Sequence, residues 1–182
     1  MVNELQVNQE LAANGVTVAE ILVQDTPEYE IYKLPNGKFE KRMKYQKEWS
    51  YVPETQEELL HFFQLMNEEN HPDVTEMKKL EGEIIEIKNV FHNPYKSFDE
   101  ETGMTDTGVN TMLETNDGKY IVTSSKSVYW NLKQIFDVFG KPGTPEYLGV
   151  KVAVVATKKD KGTQLSLKLL GLSEPQPKEV KK

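Results

Sequence analysis

The side chains of this sequence that could do chemistry are three histidines, a run of acids, a glycine-lysine turn and a set of aromatic–lysine clusters. His61 falls in an apolar helical pattern, while His71 and His92 lie in separate connections, so no two share the spacing of metal ligands or the setting of a general base. Asp99, Glu100 and Glu101 carry enough oxygens for a cation, although an acidic run in a loop is ordinarily just solvated. Gly140-Lys141-Pro142-Gly143-Thr144 has the letters of a phosphate-binding loop in the wrong order, and it follows a helix instead of joining a strand to one. It reads as a turn. No serine has the context of a strained nucleophile elbow. The expectation is a protein that is not an enzyme and needs no metal or cofactor.

What remains is binding chemistry. Tyr95, Lys96 and Phe98 are interleaved in a polar stretch, and Lys158, Lys159 and Lys161 crowd a turn between two strand patterns. Amines neutralise phosphates and rings stack on bases, so this mixture suits a single strand of nucleic acid. A solvated turn explains the lysines equally well. A similar mixture fills the hairpin from Tyr29 to Tyr45, where Phe39, Lys41, Met43 and Tyr45 alternate with Lys38, Glu40, Arg42 and Lys44. That pattern also describes a half-buried edge strand.

Composition sets outer limits. The chain has 182 residues, no cysteine and a formal net charge of −7, so it has no disulfides or thiolate zinc sites and no generally basic coat. No run reaches the length of a membrane span, and MVNELQVNQE lacks the regions of a signal peptide. The expected setting is cytoplasmic, without membrane partners.

The elements that position these residues read from their periodicities. Residues 1–25 allow a short helix around Ala19 or a frayed end. The Tyr29–Tyr45 hairpin turns at Pro35-Asn36-Gly37. Thr55 and Glu58 make a capping box ahead of a strongly apolar helix containing Leu59, Leu60, Phe62, Phe63, Leu65 and Met66. That helix must be buried against something. Pro72 ends it, which places a boundary near residue 75. Five strands then follow, at 80–91, 109–115, 119–124, 147–157 and 163–172, with a loop at 92–107 and a tight turn at Asp117-Gly118. One helix, about 126–139, lies between the third and fourth strands, capped by a serine at its start and stopped at Gly140.

This order suits a five-stranded OB-type barrel in a mainly β, α+β chain, whose second and third strands and first-second and fourth-fifth loops form an oligonucleotide face. The expected domains are an N-terminal hairpin-helix extension (1–75), an OB-fold domain (76–173) and a flexible tail (174–182). The alternation places Tyr120 on the face of Val122 and Leu113, which reads as core, and Phe91 at a strand end where it either plugs the barrel or stacks.

The block from Gly82 to Leu172 resembles the single-stranded-DNA-binding proteins of small tailed phages with protein-primed replication. Glu81-Gly82-Glu83-Ile84-Ile85, Phe91, Phe98, the hairpin Asn116–Tyr120, Ser125-Lys126-Ser127-Val128, Val150-Lys151-Val152 and Thr163–Leu169 occur in that family's order. The resemblance implies sequence-independent strand binding on an OB-type barrel in the host-cell cytoplasm. It assigns strand contact to Phe91, Phe98 and Tyr120, and the loop residues add Tyr95, Lys96, Lys126, Lys158, Lys159 and Lys161. Single-stranded DNA is the expected partner, with phage replication proteins as further candidates and a monomer or small homo-oligomer as the assembly. The other reading is a protein-interaction module built on the same barrel.

Overall fold

The computed structural model describes residues 20–67, 71–99, 104–160 and 162–173. The chain divides into two compact units, one of residues up to 45 together with 96–107, the other of residues 46–95 and 108 onward.

In the first unit, β1 (Ile21–Asp25), β2 (Tyr29–Lys33) and β3 (Phe39–Met43) form an antiparallel sheet in that order. The hairpin turn is closed by the Leu34 amide, which donates to the Lys38 carbonyl at 2.7 Å. Ile21 to Asp25 is a strand, where a short helix or a frayed end was expected, and Ala19 lies outside the described residues. A third strand satisfies the edge of β2, which a lone hairpin leaves open. Two cations of the hairpin, Arg42 and Lys44, are ion-paired within the unit. Arg42, 8% exposed, donates to both Glu20 oxygens at 2.7 and 2.8 Å and to Glu40, and its guanidinium lies over the Tyr32 ring. Lys44 pairs with Asp25 and Glu30, and Lys41 stands over Tyr29. Arg42 and Lys44 are thereby committed to carboxylates.

The second unit contains β4 (Glu48–Trp49), α1 (Gln56–Asn67), β5 (Val74–Glu76), a 3-10 turn (Met77–Leu80), β8 (Tyr120–Thr123), α2 (Lys126–Phe139), β9 (Val150–Lys159) and β10 (Gly162–Leu172). To it belong also the proximal parts of two long strands, β6 (Ile84–Asp99) and β7 (Met104–Thr115). The sheet runs β10-β9-β6-β7-β8-β5 with β4 also paired to β6, and it curls into a half-barrel. The described residues are mainly β, with two α-helices among them. The strand count of the sheet departs from the expected five, because β4 and β5 join it. They are only two and three residues long.

Residues expected as a loop, 92–107, are largely strand: β6 continues to Asp99 and β7 begins at Met104. Pro94 suggests a break, but β6 pairs with β9 only over 84–87 and with β4 only at 91–92. Beyond those residues β7 is its one neighbour among those described, an edge setting in which proline is tolerated.

Both helices begin where their caps predict. At α1 the Thr55 hydroxyl accepts from the Glu58 amide at 3.1 Å, and the Glu58 carboxylate accepts from the amides of Thr55 and Glu54. At α2 the Ser125 hydroxyl accepts from the Val128 amide and donates to the Leu165 carbonyl at 3.1 Å. Asn131 accepts from the Leu167 amide at 3.0 Å. The start of α2 thus covers the outer edge of β10, which no further strand pairs among the described residues.

The concave interior is mainly aliphatic: Leu113 and Ile121 meet Val128, Leu132, Ile135 and Phe136 of α2 and Val150, Val152 and Val154 of β9, with Tyr147 packed on Phe136. The opposite side of the β7–β8 ladder carries a second cluster, in which Phe62 and Leu65 of α1 cover Phe91 and Met112, with Trp49, Tyr120 and Val122 around them. One face of the apolar helix, Phe62 and Leu65, is therefore buried against the sheet of the second unit, while Leu59, Leu60 and Phe63 stay exposed, contrary to the expectation that the whole apolar run is covered.

Candidate nucleic-acid interface

The register of the β7–β8 hairpin decides what each side presents. Met112 pairs with Val122, Leu113 with Ile121 and Glu114 with Tyr120. Since side chains alternate along a strand, Tyr120 and Val122 share the α1 side with Met112, whereas Leu113 faces the interior. The expectation that Tyr120 shares a face with Val122 holds, and its extension to Leu113 does not. Tyr120 is half-buried beside α1, with its ring 6.5 Å from that of His61.

Phe91, expected to stack on the strand, is 0% exposed. Its ring lies 4.5 Å from Phe62, 5.2 Å from Tyr51 and 6.2 Å from Trp49, in each case edge to face. A ring enclosed by three others has no free face for a base, so the plug reading describes it. Tyr95 and Phe98 are different: they are 37% and 65% exposed on β6, with exposed Lys96 between them. Tyr95 belongs to the second unit, and Lys96 and Phe98 to the first.

Lys158 and Lys159 are exposed at the tip of the β9–β10 hairpin, where they pair in register with Thr163 and Gly162. Lys161 lies outside the described residues, as do Glu100 and Glu101. Lys126 is the exposed first residue of α2.

β4 is held like a strap. Glu48 receives Lys141 at 2.8 Å and Lys133 at 3.1 Å, Trp49 donates its indole N–H to Asn93 at 2.9 Å, and Lys47 covers the Trp49 ring. Burial opposes ionisation of Glu48, but hydrogen bonds from Lys141 and Lys133 outweigh it and keep the carboxyl below its ordinary range. Lys141 is thus committed to a carboxylate. Its turn packs backbone to backbone: Gly143 has φ 84°, and a Cβ there would lie 2.1 Å from the Ser50 carbonyl oxygen. This is a structural turn.

The histidines take separate places. His92 is fully buried beneath the strap, with Nδ1 2.9 Å from the Thr111 hydroxyl and its ring against Tyr129, and burial pushes it down to about 4. His61 and His71 stand with ring centroids 6.1 Å apart. No three His, Asp or Glu side chains gather into a metal-sized cluster among the described residues.

Past α1, the outer side of the β7–β8 ladder opens into a groove of about 630 Å³, bordered by Leu65 and Met66, by Tyr95, and by Asn110 and Ser124. Pattern reading missed Asn110 and Ser124. Their signal was polarity on a strand face that is apolar one pair further on.

The model of the phage single-stranded DNA-binding protein family matches residues 54–170. A single-stranded DNA-binding protein of Bacillus phage GA-1 is 33% identical over 170 residues, covering 92% of this chain and 98% of the relative. No solved structure matches. With a family match over well more than half its length, from α1 to β10, and a relative similar almost end to end, the chain belongs to the phage single-stranded DNA-binding protein family.

Proposed function

We propose that the protein binds single-stranded DNA without sequence preference during phage DNA replication, in the host-cell cytoplasm and without chemistry of its own. Family membership carries this reading. The exposed aromatics of β6 and the lysines of the β9–β10 tip support its mechanism, in which Tyr95 and Phe98 stack on bases while Lys96, Lys126, Lys158, Lys159 and Lys161 track phosphates. Tyr120 takes a marginal contact, and Phe91 serves as the core beneath the site. The half-barrel acts as an OB-type domain over 76–173, with 1–75 as an accessory region, and the assembly is a monomer or small homo-oligomer that meets other replication proteins on DNA.

Fluorescence titration with poly-dT and with duplex of equal length, at several salt concentrations, tests this. Preference for poly-dT with affinity falling steeply in salt is expected, and no affinity for poly-dT at low salt overturns it. A second reading, a protein-interaction module, draws on Val52 and Leu60, which are 70% and 62% exposed in and before α1. An apolar protein contact holds its affinity as salt rises, so the same titration separates the two.

A further inference from the structure

The groove beside α1 has a floor, a wall and an exit. Asn110 and Ser124 continue the ladder in which Met112 faces Val122, so they lie on the α1 side of the sheet just where the helix no longer covers it. Both are exposed, and neither side chain has a protein hydrogen-bond partner among the described residues. Tyr95 of the neighbouring strand forms the wall. A second groove of about 510 Å³ shares Glu76, Val122, Thr123 and Ser124 with the first and runs on to Thr163 and Gln164 of β10; the Glu76 carboxylate at the junction is paired with Lys78 and Lys79. Thr163 is the register partner of Lys158, so the trough leads from a tyrosine to the cationic hairpin tip.

Gly108 explains how the wall is held. It is a strand glycine, and a Cβ built on it would lie 2.4 Å from both Cζ and Oη of Tyr95 and 2.7 Å from Cε1. The ring therefore rests directly on the bare backbone of β7. A glycine inside a strand costs stability unless something must approach it closely, and here an aromatic ring does. Seated in this way, the hydroxyl end of the ring is held against the sheet, while the tyrosine keeps 37% of its surface open. A stacking surface already fixed in place saves the ordering cost that a mobile ring pays on binding.

We infer that this trough is a nucleobase subsite for single-stranded DNA, in which Tyr95 stacks on a base, Asn110 and Ser124 bond its edge, and Gly108 is the positioning residue that seats the ring. The inference rests on the strand-binding reading and locates one point where the strand is held. A carboxamide and a hydroxyl each donate and accept, so they satisfy the edge of any base and impose no sequence preference. The volume is that of an ordinary small-ligand cleft, roughly 300 to 1,000 Å³. The exit toward Lys158 gives the following phosphates a cation.

The experiment is a double-mutant cycle read by poly-dT titration, with thermal melts confirming that each variant is folded. Tyr95→Ala weakens binding about five- to hundredfold, the range of one stacked base. Asn110→Ala and Ser124→Ala each weaken it about two- to tenfold. Gly108→Ala weakens wild-type binding, yet adds nothing in the Tyr95→Ala background, because its effect passes through the ring. In parallel, an oligonucleotide carrying 5-iodouracil is photocrosslinked and the labelled peptides are mapped. A crosslink on the peptide containing Tyr95 supports the assignment, and crosslinks confined to other peptides overturn it. A folded Tyr95→Ala protein with wild-type affinity also overturns it, while leaving strand binding elsewhere on the protein intact. An equal loss from Gly108→Ala with and without the tyrosine removes Gly108 from the role. Wild-type protein with no affinity for poly-dT sinks the strand-binding reading itself.

Discussion

The two sides of the β7–β8 ladder differ in chemistry as well as in cover. The interior side is mainly aliphatic and shut, with Leu113 and Ile121 sealed under α2 and β9 and the Phe136–Tyr147 ring pair at its margin. The outer side is aromatic and only partly covered: Phe62, Phe91, Trp49 and Tyr120 gather under α1, and one ladder step on the floor turns polar and opens. Aliphatic packing fills space without directional demands, whereas rings packed edge to face bring their own geometry and leave a scaffold for one more ring at the border. The difference separates tasks. One side supplies the fold and the other presents a surface, with α1 deciding how much of it is open.

The sharpest way to break this division is Phe91→Ala. As part of the outer scaffold, its loss should cost about 3–5 kcal/mol in urea unfolding, while poly-dT affinity of the folded protein changes less than about twofold. A large loss of affinity with little loss of stability would return Phe91 to the strand. A smaller effect comes from His92, the β6 residue paired in register with Glu48 of the strap. Burial lowers its folded-state pKa to about 4 from 6.5, so the unfolded chain takes up the proton first. The stabilisation tied to its neutral form is full above pH 6.5 and is lost as pH falls toward 4, amounting to roughly 2 kcal/mol between about pH 7.5 and 5. His92→Asn should flatten the fall of urea midpoints across that window, and parallel curves would contradict it. The smallest effect is electrostatic. Lys158→Ala and Lys159→Ala should leave stability unchanged, and each should reduce the salt dependence of poly-dT binding by about 0.7 in slope for the phosphate it no longer neutralises. An unchanged slope would detach the hairpin tip from the strand path.

Much of this was legible in the residues. The Ser125 cap, the capping box at Thr55 and Glu58, and the Asp117-Gly118 turn are local signals, and each marks a real boundary. β4 and β5 escaped detection because strands of two and three residues have no period of their own, and their partners define them. The long arm of β6 escaped because Pro94 and the acids after it read as loop. At the site, alternation ranked rings by position along a strand but could not say which side a helix would cover. Phe91 and Tyr95 therefore looked alike, although one is enclosed and the other open. Gly108 fell between the expected loop and the expected strand, so its close approach to Tyr95 carried no signal until β7 was seen to begin at Met104.

The parallel pairing of β5 with β8, Val74 against Tyr120, has a consequence for the order of assembly. The whole β6–β7 arm lies between these partners in sequence, so joining them closes a long loop for only a three-residue strand. The β7–β8 hairpin needs only a tight turn and closes first. α1, which immediately precedes β5, cannot settle on the outer side until that hairpin exists to receive it. The helix that limits the open surface is thus the late piece of the folding route, and by the same reasoning the early piece to lift when the protein loosens.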